Sequence, residues 1–468
     1  MIISSLITIA NRLNIMNNTL IIKKFGPLKD NEVQIKDIIL VLGPQASGKS
    51  TFAKLVYYFL SIKSQIIDVL SLILSDSADS KYFFTLIQKS LRNELYGYFD
   101  SFLVRENFDV SYYFSEDLLI HIYNNNKRDY KIVFSSKLRT ALQALVDSVE
   151  EYKKNNNVSL LGSSNISSIK EQKISFLNEQ SERINNIINN RLDDKIYIPA
   201  SRSYVNKFTD LQFFKPIDNQ FRNIDLLDQE FSVYVGYLKK HYNLSLEEQL
   251  NIYKNNKLFG LNYNFKFPKE AQKLIGKILK GEYHTNGKNE HILFNDTDGE
   301  HRIEVAFSSS GQQESLWILN ILYRQILEEG NFYTVIEEPE AHLYPDAQNN
   351  IAKLIALAAN KGVKLLVTTH SPYFLGCLST LFYAKTVEDK IKPQKLPNKV
   401  VSDLFRLDIN KASIYYIKNG KLIDVYDKKA EYVTVEVIDK ASEENKNRLD
   451  KLINIEGYGY EQASRFRE

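Results

Sequence analysis

Apolar positions along the chain follow two rhythms. The continuous run Ile-Ile-Leu-Val-Leu at 38–42 reads as a strand buried on both faces, and similar runs cover 332–336 and 363–368. Shorter runs at 20–22 and 33–35, joined by a turn at Gly26-Pro27, are expected to form one sheet with 38–42. Helical spacing instead connects Phe52, Leu55, Val56, Phe59 and Leu60, then Ile66, Ile67, Leu70 and Leu74, then Phe83, Phe84, Ile87, Leu91 and Leu95. Segments 110–114, 118–123 and 130–134 read as antiparallel strands, the last two joined through 124–126.

Two further stripes, Leu138-Leu142-Leu145-Val146-Val149 and Ile174-Leu177-Ile184-Ile187-Ile188, flank a polar break. They predict a pair of antiparallel helices, either packed as a helical subdomain or projecting as a coiled coil; the heptads are few, which favours packing. Residues 195–203 read as a strand that re-enters the main sheet and ends in a polar loop at Arg202, placed to meet phosphate, a second subunit, or a surface carboxylate. Residues 204–280 read as mostly helical, with Leu226, Phe231, Val235 and Leu238 on one face and Ala271, Leu274, Ile275 and Ile278 on another. A hairpin at 292–294 and 302–305 turns at Asp298-Gly299.

Composition narrows the class. The chain has 468 residues, 44% of them hydrophobic and 25% charged, ordinary globular values that allow two to four structural units. A net charge of +3 does not argue for nucleic acid or a membrane surface. One cysteine, Cys377, excludes a disulfide framework and a cysteine-rich zinc site, and fits a reducing cytosol. With no run of 18 apolar residues, no membrane span is expected.

The chemistry concentrates at Gly43-Pro44-Gln45-Ala46-Ser47-Gly48-Lys49-Ser50-Thr51, which fits G-x-x-x-x-G-K-[ST] between a strand and a helix. Backbone N–H groups of such a turn face phosphates, the helix N-terminus adds partial positive charge, Lys49 neutralises phosphate, and Ser50 can hold Mg²⁺. Nucleotide binding follows. Phe25 reads as core, not as an adenine platform. Downstream, Ser309-Ser310-Gly311-Gln312 opens a helix expected over 315–327, and alone would be a capped helix. The strand at 332–336 discharges Glu337 and Glu338. Glu337 is placed to orient Mg²⁺ through its waters, and Glu338 to polarise an attacking water. The strand at 363–368 ends at His370, which can report on a γ-phosphate by one hydrogen bond.

Together, in this order, the four stretches resemble the ABC-type ATPases, in the branch of the RecF, SMC and OLD-family proteins. The phrases Glu337-Glu338-Pro339-Glu340-Ala341-His342-Leu343-Tyr344-Pro345, Ile22-Lys-Lys-Phe-Gly-Pro-Leu-Lys29 and Tyr197-Ile-Pro-Ala-Ser-Arg202 are similar to the AAA-15/AAA-21 group of bacterial ATPases. That resemblance implies an α/β P-loop NTPase of ABC type, with a mixed sheet, an antiparallel β lobe and an inserted helical arm. It implies ATP and Mg²⁺, and a homodimer or higher oligomer closing head to tail over two nucleotides. Lys49 and Ser50 would act in cis, and Ser309 and Gly311 on the γ-phosphate from the opposite subunit. Glu338 would be the catalytic base and His370 the switch. Ser310 stands where transporters usually carry glycine, Glu337 replaces an aspartate, and no Q-loop glutamine can be placed.

The implied division is 1–60 (N-terminal lobe with the P-loop), 61–190 (hairpin and helical insertion), 191–395 (C-terminal lobe) and 396–468 (a small α+β extension). Within the last, 413–417 and 422–426 read as a hairpin about Asn419-Gly420, with a closing helix near 442–453. Asp424 and Asp427 are spaced D-x-x-D rather than as the Asp-x-Asp of a fused TOPRIM nuclease, so no nuclease is expected there. ATPases of this kind resemble components of anti-phage systems of the PARIS and Septu types, which control a separate effector nuclease; an SMC/RecF-like DNA-binding or repair ATPase is the alternative, and a non-hydrolysing scaffold a third.

Overall fold

Strands β1 (Thr19–Phe25) and β2 (Leu28–Gln34) form a hairpin and β3 (Ile38–Leu42) leads into helices α1 (Lys49–Leu60), α2 (Ile62–Leu74) and α3 (Phe83–Tyr98). Then come β4 (Phe108–Ser115), β5 (Leu118–Asn124), β6 (Lys131–Phe134), α4 (Ser136–Ser159), α5 (Ile166–Ile188) and β7 (Asp194–Ile198). The second half runs α6 (Leu226–His241), α7 (Leu246–Asn255), α8 (Lys266–Leu279), β8 (Glu282–Thr285), β9 (Glu290–Asp296), β10 (Gly299–Glu304), α9 (Ser310–Glu328), β11 (Phe332–Glu337), α10 (Pro345–Asn360), β12 (Lys364–Thr369) and α11 (Pro372–Lys390). It closes with β13 (Ala412–Lys418), β14 (Lys421–Asp424) and the short pair β15 (Tyr426–Asp427) and β16 (Tyr432–Val433). This computed structural model describes residues 17–99, 106–124, 130–159, 166–188, 194–202, 225–241, 244–255, 263–285, 289–296, 299–390 and 397–427, with a few isolated positions between and after them. The expected helix at 442–453, and residues 206–224 of the expected helical stretch, lie outside the described residues.

The central sheet has the order β14-β13-β3-β12-β11-β7 and is parallel except at β14, so the fold is α/β with a mixed sheet. Side chains alternate between its faces. Ile39, Val41, Val335 and Leu366 join one core with α1, α2, α3 and a five-stranded antiparallel sheet. Ile38, Leu40, Leu42, Ile336, Leu365 and Val367 join a second core with α6 to α11. Covering both faces is what makes these strands unbroken apolar runs.

One expectation is corrected. β1 and β2 do not pair with β3; they belong to the antiparallel sheet β2-β1-β4-β5-β6, while β3 lies between β12 and β13. The hairpin about Asn419-Gly420 is present, with its first strand beside β3. Both turn residues have positive φ (53° and 81°), as a type I′ turn requires. Gly420 O accepts from Lys29 N–H and from Asn31 Nδ2, both at 2.9 Å, which ties the two sheets together. Phe25 is buried edge-on against Phe99 and Phe108, as core.

Residues 49–74 are long and apolar enough to cross a membrane by composition, but they form α1 and α2, broken at Ser61 and largely buried in the first core. Helices α4 and α5 combine both readings of the arm. Leu138, Leu142, Leu145, Val149, Ile184 and Ile188 are buried at its base, whereas Ile174 is exposed further out, where Tyr152 stacks on Phe176 at 4.2 Å.

Helix α6 is latched to the P-loop helix and to α3. Lys54 of α1 pairs with Asp225 ahead of α6, and Leu226 occupies the space a Cβ on Gly97 would fill. Beside this contact the Tyr98 hydroxyl lies 2.5 Å from Glu94 Oε1 and 3.1 Å from Glu230 Oε1. One phenolic hydrogen cannot fully serve two carboxylates, so the pair is left under-satisfied in a buried place. Burial accordingly pushes Glu230 up to about 7 despite nearby Lys195, and pushes Glu94 up as well. The folded chain holds a proton on Glu230 where the unfolded chain has lost it, so this carboxyl's contribution to stability falls as pH rises from about 4.5 to about 7. Glu230→Gln is expected to flatten that slope, as read by thermal unfolding across the same range.

Candidate functional site

Three of the four stretches, the loop after β3, Glu337-Glu338 after β11 and His370 after β12, lie together at the carboxyl ends of neighbouring parallel strands, while the Ser309 tip of α9 packs on the loop after β11. That edge is where open α/β sheets bind ligands. The loop after β3 turns through Gly48 (φ 106°), whose left-handed backbone aims the chain into α1. Lys49 is buried and its ammonium donates to Gly43 O and Pro44 O, both at 2.9 Å. Burial lowers the Lys49 pKa, while Glu338, Glu340 and Glu337, in that order, pull it back up. All three carboxylates therefore reach the lysine with their fields.

Two buried atoms mark room for a ligand. Ser47 Oγ is buried with no hydrogen-bond partner, and a Cβ on Gly43 would meet it at 2.7 Å, so the cradle exists only because residue 43 is glycine. Glu337, the last residue of β11, accepts from Ala200 N–H at 3.2 Å through Oε2, while Oε1 is buried without a partner. The buried Tyr197 hydroxyl faces the same carboxylate, and burial together with that charge raises its pKa. Ser50 is exposed in the first turn of α1. Among the described residues no three His, Cys, Asp or Glu side chains cluster as a metal site, so a divalent ion here would need oxygens from a nucleotide and water. An orphaned acidic oxygen and an exposed hydroxyl fit that requirement.

Glu338 has a positive φ of 44°, a strained conformation for a non-glycine residue. Its N–H donates to Thr368 O at 2.9 Å, and its carboxylate lies 3.2 Å from His370 Nδ1. The two residues read separately from sequence as base and switch are thus a contacting pair. Glu340 was given no role by sequence. It is buried, accepts from the Thr369 hydroxyl and, at 3.3 Å, from His370 N–H, and burial raises its pKa. It fastens the loop after β12 to the loop after β11. Its signal in the sequence was the third carboxylate of Glu-Glu-Pro-Glu, indistinguishable there from an exposed helix cap.

Arg202 is turned inward and fully engaged by backbone carbonyls, which corrects all three sequence readings, phosphate, a second subunit and a surface carboxylate. It is 1% exposed and donates to Glu314 O (2.9 Å), Pro199 O (3.2 Å), Glu337 O (2.8 Å) and Glu338 O (2.9 Å). One guanidinium fork thereby holds α9, the end of β11 and its own strand.

Helix α9 starts at Ser310, five residues earlier than expected, because Ser309 and Gln312 form a reciprocal capping box. Gln312 Nε2 also donates to Leu279 O at 2.6 Å, so its side chain is fully engaged. Gly311 is buried, and a Cβ on it would meet His342 O at 2.7 Å; its place in the fold is to let the loop after β11 lie on α9. Ser309 and Ser310 are the exposed residues of this tip. The Asp424 and Asp427 carboxylates accept from Tyr426 N–H (2.9 Å) and Lys429 N–H (2.7 Å) and so cap turns.

The model of the AAA ATPase domain family matches residues 16–375. No curated protein matches the sequence. Among solved structures, the chain is similar to an SmcHead bound to the C-winged helix domain of ScpA (11% identity, 88% of this chain and 98% of that one, TM-score 0.36). It is also similar to the SMC head domain from Thermotoga maritima (9% identity, 77% and 91%, TM-score 0.32). A third is the recombination mediator protein RecF-ATPrS in the RecFOR pathway (12% identity, 88% and 99%, TM-score 0.31).

Proposed function

The chain belongs to the AAA ATPase domain family, and on that premise we propose that it binds and hydrolyses ATP as an ABC-type switch, closing as a dimer over two nucleotides. The observation that carries this reading is the Glu338–His370 pair, set at 3.2 Å on the strand edge whose carboxylates act on Lys49. In the free chain the Lys49 ammonium is held by two loop carbonyls; a β/γ-phosphate replaces them with a stronger, charge-assisted partner. Mg²⁺, held by Ser50 and through water by Glu337, would supply charge neutralisation at the phosphates. Glu338 orients the attacking water and takes its proton, and His370 steadies the Glu338 carboxylate and donates towards the γ-phosphate oxygens.

Dimer closure is supported by what the same edge exposes. Phe307 (77% exposed) precedes the Ser309 tip, Tyr344 (76%) caps α10, and Tyr373 (64%) follows His370. Three exposed aromatic rings at the ends of helices and turns flanking the site suit burial against a second copy. Sedimentation separates the two halves of the reading. Lys49→Ala should abolish ATP binding by calorimetry and leave a monomer. Ser309→Arg should keep ATP affinity within about threefold and also remain monomeric, because its contact is in trans. ATP-induced dimerisation of Ser309→Arg would refute the head-to-tail clamp.

For the biological role we propose nucleotide-dependent control of a separate effector in anti-phage defence, in the cytoplasm. The SMC/RecF-like alternative predicts DNA-stimulated turnover with an apparent affinity that falls steeply with salt.

A further inference from the structure

Away from the strand edge, α7, α8 and β8 enclose a cavity of about 480 Å³ that the ATPase chemistry does not use. Its size falls within the range of about 300–1,000 Å³ seen for small-molecule sites. Leu246, Leu250, Ile275 and Tyr283 line it with apolar surface, and Lys254, Lys269 and Lys273 rise around it. Two carboxylates face it as well, Glu247 and Glu282, the second 3.5 Å from His284 Nε2. Lys273 pairs with Glu270 at 3.1 Å and Lys254 donates to Asn251 at 3.1 Å. Lys269 Nζ has no hydrogen bond or ion pair among the described residues, which leaves one uncommitted cation beside an apolar floor. Gly281 in the wall lets β9 pack closely behind it, since a Cβ there would meet Leu293 O at 2.4 Å.

We propose that this cavity binds a small anionic amphipath, a molecule with an apolar body and a carboxylate or phosphate head, with the head on Lys269. The apolar floor takes the body by excluding water, and the head completes the lysine's missing contact. The site also has a route to the nucleotide edge. Leu279 O, at the end of α8, accepts from Gln312 Nε2 in the cap of the Ser309 tip, so a ligand that shifts α8 bears on the residues proposed to act in trans. That coupling, unlike the binding itself, rests on the ATPase reading.

The chain carries its own reporter. Trp317, the single tryptophan, lies edge-on to Tyr283 of the cavity wall with ring centroids 6.3 Å apart. Decanoate, titrated into the full chain without nucleotide and below its micelle-forming concentration, should change Trp317 emission saturably. Decyltrimethylammonium, with the same tail and the opposite charge, should not. Lys269→Glu, a change at an exposed position, should raise the half-saturating decanoate concentration about tenfold or more. No saturable response, an equal response to decyltrimethylammonium, or an unchanged half-saturation in Lys269→Glu would each overturn the site. A decanoate response in a chain that proves not to hydrolyse ATP would uphold the site and remove only its tie to Gln312.

Discussion

Glu338→Gln should slow ATP turnover by about 10²- to 10⁴-fold while ATP affinity moves by no more than a few fold. The amide keeps the size of the side chain but cannot take a proton from water. Its backbone geometry is set elsewhere, by the N–H bond to Thr368 O and the Arg202 bond to Glu338 O, so the strained φ should survive the substitution. Binding depends on Lys49 and the loop after β3, which the change leaves intact. Because the dimer is released by hydrolysis on this reading, the variant should also remain dimeric in ATP for far longer than the wild type. Steady-state phosphate release, with ATP affinity measured alongside, is the check. Turnover within about twofold of wild type would mean that Glu338 is not the base, and would favour a non-hydrolysing scaffold.

Arg202→Met should lower stability by about 3–5 kcal/mol and cost activity without removing any group that touches nucleotide. Methionine retains much of the buried stem but strips the donors from four carbonyls, at Pro199, Glu314, Glu337 and Glu338. A buried polar group left unpaired costs roughly 1–3 kcal/mol, and some of the four would find water. Lysine should not rescue the change, because an ammonium cannot span carbonyls on three separate elements with a planar fork. Denaturant unfolding measures the loss. A stability equal to wild type would show that these carbonyls are satisfied without the guanidinium.

Much of the fold was legible where one local pattern had one structural outcome. The runs at 38–42, 332–336 and 363–368 had to be strands covered on both faces, and they are β3, β11 and β12. Stripes such as Ala271-Leu274-Ile275-Ile278 fixed α8 for the same reason. Strand partnership was not legible. Residues 20–22 and 33–35 lie next to β3 in the chain, yet β1 pairs with β4 about ninety residues on, and no local feature of either strand specifies that register. The site divided similarly. Glu337, Glu338 and His370 could be placed from their positions at strand ends, and Lys49 from the glycine turn between β3 and α1. Arg202 and Glu340 could not, because whether a charged side chain at a strand end faces water or four carbonyls is decided by how remote loops close over it.

The position of β3 also shapes how the chain can be made. Both its neighbours, β12 and β13, lie more than three hundred residues downstream, beginning at Lys364 and Ala412. A growing polypeptide emerging from the ribosome therefore carries a naked Ile-Ile-Leu-Val-Leu segment, with the loop bearing Lys49 attached to an unpaired edge, until more than three hundred further residues have been made. Sequence separations of this size slow maturation and leave sticky intermediates exposed. The loop bearing Lys49 can join the edge that carries Glu337, Glu338 and His370 only once β12 has been made, and the newborn protein should lean on cellular chaperones until then.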